Sequence, residues 1–157
     1  MQKWGPPVSR SYTELTRLIE RLHRRFLDVI RAELNRLGVR DLNGVQALLL
    51  ANIGDEAMAI RDLVERGYYQ GSNVSYNIKK LTDMGYLTQE RSRHDKRSVT
   101  VALTAKAHNV VKQVKALEDR NAKTFSDTIA DAKVDEVCQA LQRLERTWAD
   151  HIHYGNG

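Results

Sequence analysis

GSNVSYNIKKLTDMGYLTQERSRHDKRSVTVALT, residues 71–104, is the stretch that decides the predicted fold of this chain. Val74, Ile78 and Leu81 recur at helical spacing, which predicts a helix with one apolar face. Gly85 suits the left-handed backbone position that commonly follows the end of a helix. The first half of the stretch therefore predicts one short helix with a defined end.

Two strands and a charged tip are predicted after this helix. Residues 86–90 and 98–103 have the composition of strands, and the second alternates apolar side chains with small or polar ones. The turn between them is too polar and too charged for a core, since it contains Arg91, Arg93, His94, Asp95, Lys96 and Arg97. A helix followed by a hairpin with a cationic tip is a winged helix-turn-helix arrangement. The helix would enter the major groove of DNA, and the tip would reach the adjacent backbone.

The outward faces of the predicted helix supply the other candidate DNA contacts, which are Ser72, Asn73, Ser75, Tyr76, Lys79 and Lys80. Ser72 is also the predicted N-cap of this helix. Asn73 could pair with an adenine, and Tyr76 could meet a thymine methyl or a phosphate, whereas the two lysines suit phosphates. The alternative for the whole set is an ordinary solvated helix face.

The composition is that of a globular protein. At 157 residues, with 41% hydrophobic and 29% charged residues, the chain fits a single domain, residues 1–157. A net charge of +5 permits an acidic partner without requiring one. Cys138 is the only cysteine, and no apolar run approaches the roughly 20 residues of a membrane span, so we expect a cytoplasmic protein.

The placement of the basic residues favours DNA more than their number does. Residues 1–40 carry nine Lys or Arg against four acids, whereas residues 54–104 carry eight against seven. Within the second range, most cations lie on the predicted helix and tip, and most acids precede them. Sequence-independent DNA compaction would need a basic surplus in the module itself, and is therefore disfavoured.

Long amphipathic helices are predicted on both sides of a winged module of residues 41–104. Residues 9–37 carry a long apolar stripe, and residues 105–153 contain two helices, the last with a seam of coiled-coil type. A module this small leaves those faces without a partner, so we expect them to form a helical dimerisation region between two copies. The predicted fold class is mainly α with a small antiparallel β-hairpin, and the predicted assembly is a homodimer.

Local signals mark the starts of the early helices. Ser11 and Glu14 have the spacing of a capping box, and so do Asn43 and Gln46. Residues 58–60 could add a short strand beside the hairpin. The expected order is then helix, helix, turn, helix and hairpin.

Two motifs resemble the MarR family of regulators. Residues 95–104, DKRSVTVALT, are similar to the wing signature of that family, in which Asp, Arg and a final Leu-Thr recur at these spacings. Residues 72–81, SNVSYNIKKL, followed by Gly85-Tyr86-Leu87, resemble its recognition helix and the strand after it. The resemblance implies a dimeric transcription factor, usually a repressor, that binds palindromic operators and is often released by a small-molecule effector. Residues 67–74 look most like LdtR-type regulators, which implies control of cell-wall and stress genes.

The resemblance also implies roles for individual residues. Arg97, held by Asp95, would enter the minor groove, where a narrow groove concentrates negative potential. Tyr76 stands where many members have a basic residue, so their base preference does not transfer to this chain. An effector would bind between the dimerisation helices and the DNA module. Candidate effector contacts, for which core packing is the alternative, are Trp4, Tyr12, His23 and Phe26.

The remaining function classes are weaker. The sequence has no glycine-rich phosphate loop, nucleophile elbow or carboxylate constellation, so neither an enzyme nor a cofactor is expected. His151 and His153 are two residues apart on a helix and face different ways, so no metal site is expected. The alternative that stays open is a winged-helix protein-interaction module without specific DNA binding. Such a module would expose apolar residues where this chain has Ser, Asn and Lys.

Overall fold

The computed structural model describes residues 10–66, 71–95 and 98–154, apart from the side chains of residues 71, 72 and 154. The helices are α1 (Arg10–Arg36), α2 (Gly44–Ile53), α3 (Ile60–Glu65), α4 (Gly71–Asp83), α5 (Ala105–Ser126) and α6 (Asp131–Tyr154). The strands are β1 (Met58–Ala59), β2 (Leu87–Arg91) and β3 (Val99–Leu103). The predicted fold class, mainly α with a small antiparallel sheet of winged helix-turn-helix type, is confirmed.

The sheet is antiparallel and has the strand order β1-β3-β2. Arg91 pairs with Val99 near the tip of the hairpin, and Leu87 pairs with Leu103 at its base. The short β1 pairs with the other edge of β3, where Met58 lies opposite Val101. The short strand predicted at residues 58–60 beside the hairpin is thus present. Val101 is fully buried because it lies on the central strand and points into the core.

One core supports the winged module. The apolar face predicted for α4 is buried in this core, which also contains side chains from α1, α2, α3 and the sheet. The fully buried members are Ile30, Leu34, Leu49, Leu50, Leu63, Val74, Ile78, Leu81, Leu87 and Val101. Burial stabilises the fold by roughly 1.5–3 kcal/mol for each large apolar side chain, so the inward face of α4 is firmly fixed.

The predicted N-caps have different outcomes. The capping box of α2 is confirmed, because Asn43 Oδ1 accepts from the Gln46 backbone N–H at 2.8 Å and Gln46 Oε1 accepts from the Asn43 N–H at 3.1 Å. The box predicted at Ser11 is wrong, because α1 begins one residue earlier and places Ser11 inside its first turn. α4 likewise begins one residue before Ser72, so Ser72 does not precede the helix as a cap would.

The end of α4 and the start of α5 share one turn. Gly85 has a φ of +82°, as its predicted position requires, and the Tyr86 N–H donates to the carbonyl of Leu81 at 2.9 Å. Thr104 Oγ1 donates to the carbonyl of Gly85 at 2.7 Å and accepts from the Ala107 N–H at 3.3 Å. α5 therefore begins directly on the turn that ends α4.

The chain divides into two compact units, Met1–Lys115 and Ala116–Gly157, with the boundary inside α5. The first unit contains the winged module, and the second contains the end of α5 and α6. Parts of the apolar stripes remain exposed on α1, at Leu18, Leu22, Phe26 and Val29, and on α6, at Val137, Leu141, Trp148 and Ile152. Among the described residues, no helix is both long enough and apolar enough to cross a membrane.

Candidate DNA interface

The outward face of α4 carries most of the side chains predicted to contact DNA. The exposed members are Asn73, Ser75, Tyr76, Lys79 and Lys80. The predicted contact from the side chain of Ser72 lies outside the described residues. Because the opposite face of α4 is buried in the core, these polar side chains all project away from the core.

Tyr76 and Lys80 lie one helical turn apart and contact each other. The ammonium of Lys80 donates to the Tyr76 hydroxyl at 3.3 Å and lies 5.6 Å from the centroid of its ring. Tyr76 is 61% exposed, so the ring is available to a ligand. The cation–π contact orients the ring and keeps a positive charge beside it. The pair therefore combines an apolar surface for a base with a cation for a phosphate.

A pair of amide side chains connects α2 to α4. Gln46 Nε2 donates to Asn77 Oδ1 at 3.3 Å, and Asn77 is half-buried. The sequence predicts a role for Gln46 only in the helix cap and none for Asn77. The available signal was an asparagine in the interior of a helix, where it is a poor helix former.

The wing tip is organised by Ser92. Its hydroxyl oxygen accepts from the backbone N–H groups of His94 and Asp95, both at 3.3 Å, and its own N–H donates to the Ser98 carbonyl at 2.9 Å. The exposed side chains of this segment are Arg91, Arg93, His94 and Asp95. Lys96 and Arg97 lie outside the described residues, and so does the contact predicted between Asp95 and Arg97.

Arg61 of α3 is a cation near the wing that was not among the predicted DNA contacts. An open cavity of about 580 Å³ is lined by Ile60, Arg61, Asp95, Ser98 and Val99. Arg61 Nε lies 3.9 Å from the Glu65 carboxylate, and both side chains are exposed. An exposed pair of this kind contributes little to stability. The Arg61 guanidinium therefore remains accessible to a phosphate that approaches the wing.

Three polar side chains, which we name the α5 clasp, join the winged module to the first turn of α5. The Tyr86 hydroxyl donates to Asp41 Oδ1 at 2.7 Å, and Lys106 Nζ lies 3.6 Å from Asp41 Oδ2. The same ammonium lies 4.2 Å from the centroid of the Tyr86 ring. The Tyr86 hydroxyl lowers the pKa of Asp41, whereas burial and the nearby carboxylate raise the pKa of Tyr86. The sequence indicated none of the contacts among these three side chains.

The candidate effector residues that the structure describes are spread along α1. Tyr12, His23 and Phe26 are exposed on α1, and the first and last lie about 21 Å apart along the helix axis. Trp4 lies outside the described residues. A cavity of about 280 Å³ lies instead beside the clasp, lined by Leu37, Val39, Tyr86, Lys106, Asn109, Val110 and Gln113.

Across residues 10–66, 71–95 and 98–154, no three His, Cys, Asp or Glu side chains are grouped to hold a metal ion.

Comparison with known sequences identifies the module and a relative. Residues 42–107 match a family model described as a winged helix DNA-binding domain. The chain is 36% identical over 146 residues to the exopolysaccharide II synthesis transcriptional activator ExpG of Rhizobium meliloti (strain 1021). That alignment covers 92% of this chain and 75% of the relative.

Solved structures share the fold at low sequence identity. AbsC, a MarR family transcriptional regulator from Streptomyces coelicolor, superposes with a TM-score of 0.74 at 17% identity, covering 94% of this chain and 99% of its own. FabT from Streptococcus pneumoniae, solved in complex with DNA, has a TM-score of 0.69 at 18% identity, with coverages of 88% and 98%. These structures establish the fold. The similarity to ExpG, a transcriptional regulator, extends over nearly the whole length of the present chain. The chain therefore belongs to the same family as the transcriptional regulator ExpG, and it has the winged-helix fold seen in structures of MarR family regulators.

Proposed function

We propose that the protein is a homodimeric, sequence-specific regulator that binds a two-fold-symmetric DNA operator through α4 and the wing. The observation that carries the proposal is the single buried core under both elements. That core lies under α4, which carries Lys79 and Lys80, and under the hairpin, which carries Arg91 and Arg93 at and near its tip. α4 carries the small polar and aromatic groups suited to base edges, and the cations suit the phosphates on either side.

Exposed apolar stripes on α1 and α6 support the homodimer. Leu22 of α1 is 55% exposed and Ile152 of α6 is 77% exposed, within stripes of several apolar side chains. Contiguous exposed apolar surface of this kind marks an association site. A two-fold assembly would present two copies of α4 to the duplex. The matching operator is an inverted repeat whose half-sites are centred about 10 bp apart or a multiple of that spacing.

Repression is the proposed mode of regulation, in which the dimer occupies a site that overlaps a promoter. The relative ExpG is an activator. Expression of a promoter–reporter fusion, measured with and without the protein, therefore decides between repression and activation. We also propose that a small-molecule effector lowers operator affinity, by shifting the dimer away from its DNA-binding state. Control of cell-wall and stress genes, as in LdtR-type regulators, is tested by the genes that flank the recovered operators.

The decisive experiment is selection of bound duplexes from a genomic fragment pool at physiological salt, followed by sequencing. We expect an inverted repeat among the recovered fragments, and a dimer by sedimentation of the free protein. A variant with Lys79→Gln and Arg91→Gln changes two exposed cations outside the core and is the matched control for background binding. Recovery of no motif above that background would favour the protein-interaction alternative. Such a result would then direct the search to protein partners of the α4 face.

A further inference from the structure

Gln46 makes one more bond than its helix cap requires. In a capping box the third helical residue contributes a side-chain oxygen, and glutamate serves as well as glutamine. Gln46 Oε1 performs that role at 3.1 Å from the Asn43 backbone nitrogen. The amide nitrogen is not needed for the cap, and it lies 3.3 Å from Asn77 Oδ1 in α4. Because Gln46 is only 5% exposed, this bond replaces one to water.

Asn77 lies at the edge between the two faces of α4. Val74 and Ile78 are buried on one side of it, and Asn73 and Tyr76 are exposed on the other. The apolar contacts stabilise the packed helix but have little directional preference. A hydrogen bond between two amides does have a preferred direction. The pair therefore adds a directional restraint on rotation of α4 about its own axis to the packing of the core.

Small rotations of α4 matter at its surface. Side chains extend to about 5–6 Å from the axis of a helix, so a rotation of 10° moves their ends by about 1 Å. Bonds to base edges require placement within about 0.5 Å and 10–20°. Flexible lysines that contact phosphates tolerate such a shift more readily. Loss of the restraint is therefore expected to reduce discrimination between sequences more than total DNA affinity.

We propose that the bond between Gln46 and Asn77 is a positioning contact that sets the rotation of α4 and, through it, operator specificity. The inference rests on the proposed function, in which α4 contacts base edges. Gln46 itself is buried and acts only through Asn77. This separates its effect from that of a residue that contacts DNA directly.

The test compares three variants by fluorescence anisotropy, each with the selected operator and with a random duplex of equal length. Gln46→Met removes both the cap oxygen and the amide nitrogen. Asn43→Ala removes the reciprocal cap bond but leaves the bond to Asn77, and is the matched control for lost stability. Gln46→Glu keeps the cap oxygen and offers a second oxygen to the Asn77 amide, which can turn to donate. Thermal unfolding shows whether each variant remains folded at the assay temperature.

We expect Gln46→Met to lower the ratio of operator to random affinity about tenfold, the scale of one mismatched base pair. Asn43→Ala is expected to leave the ratio within about twofold, and Gln46→Glu to restore most of it. An unchanged ratio in folded Gln46→Met, or an equal loss in Asn43→Ala, would overturn the positioning role while leaving the proposed function intact. A wild-type protein with no preference between the duplexes would instead overturn the proposed function, and the inference with it.

Discussion

Removal of one hydroxyl from the α5 clasp is expected to destabilise the protein without changing its core. The substitution is Tyr86→Phe, which keeps the ring and deletes the donor that lies 2.7 Å from Asp41 Oδ1. The contact between the Lys106 ammonium and the ring, at 4.2 Å from the centroid, can persist. The substitution therefore isolates the hydrogen bond from the packing of the aromatic ring.

The expected loss follows from the geometry. A hydrogen bond to a charged group contributes roughly 1.5–3 kcal/mol to stability. The Asp41 side chain is 45% exposed, so water replaces part of the lost donor. We therefore expect the free energy of unfolding to fall by about 1–2 kcal/mol, which for a chain of this size lowers the unfolding midpoint by about 2–8 °C.

The loss should depend on pH at both ends of the range. The pKa of Asp41 is lowered in the fold, chiefly by the Tyr86 hydroxyl, so its contribution is present above the unfolded value of about 3.9 and disappears as the pH falls through the folded value. The pKa of Tyr86 is raised by burial, so its contribution is present below the unfolded value of about 10 and declines as the pH rises above it. The difference in free energy of unfolding between the wild type and Tyr86→Phe is therefore expected to be constant between about pH 5 and 9. Outside that window this deficit should be smaller.

Urea unfolding followed by circular dichroism, repeated across this pH series, measures the deficit. Tyr76→Phe is the matched control, because it removes a hydroxyl from an exposed tyrosine of the same chain, and its cost should stay below about 0.5 kcal/mol. A Tyr86→Phe variant as stable as the wild type at pH 7 would refute the reasoning. So would a deficit at pH 3 equal to that at pH 7.

Four further outcomes are expected. Arg97→Ala should weaken operator binding by about 1–3 kcal/mol in an anisotropy titration and leave thermal unfolding unchanged. Lys79→Gln should weaken binding to operator and random duplex alike and reduce the salt dependence by about one phosphate contact. Leu22→Glu places a charge in the exposed stripe of α1 and should convert a dimer to a monomer in sedimentation, with unchanged helix content. Gly44→Ala would bring a Cβ to 3.1 Å from the carbonyl oxygen of Leu27, and should lower stability by about 1–3 kcal/mol in thermal unfolding.

Patterns within one element were predictable from the sequence. The spacing of Val74, Ile78 and Leu81 identified the buried face of α4, because a helix places residues three and four apart on one side. The alternation around Val101 identified the inward face of β3 for the corresponding reason in a strand. Helix starts were less predictable. Ser11 has the right chemistry for a cap, but α1 begins one residue before it.

Polar contacts between elements were not predictable. Asp41 and Tyr86 are 45 residues apart in sequence, and Gln46 and Asn77 are 31 apart. Neither pair has a periodicity, because the partners meet only after the helices have packed on one another. Tyr86 in particular was predicted only as the first residue of a strand, whereas the structure buries it just before β2, and the sequence did not indicate a partner for its hydroxyl.

These contacts connect α5 to α4, the helix proposed to enter the major groove. Tyr86 follows directly after the turn that ends α4, and its hydroxyl is bonded to Asp41, which also pairs with Lys106 of α5. Thr104 donates to the carbonyl of Gly85 in that same turn. A shift of the first turn of α5 relative to the module would therefore break directional bonds or move the end of α4 with it. Since Gln46 restrains the middle of α4 through Asn77, such a shift is expected to change the angle at which α4 meets DNA rather than to unfold it.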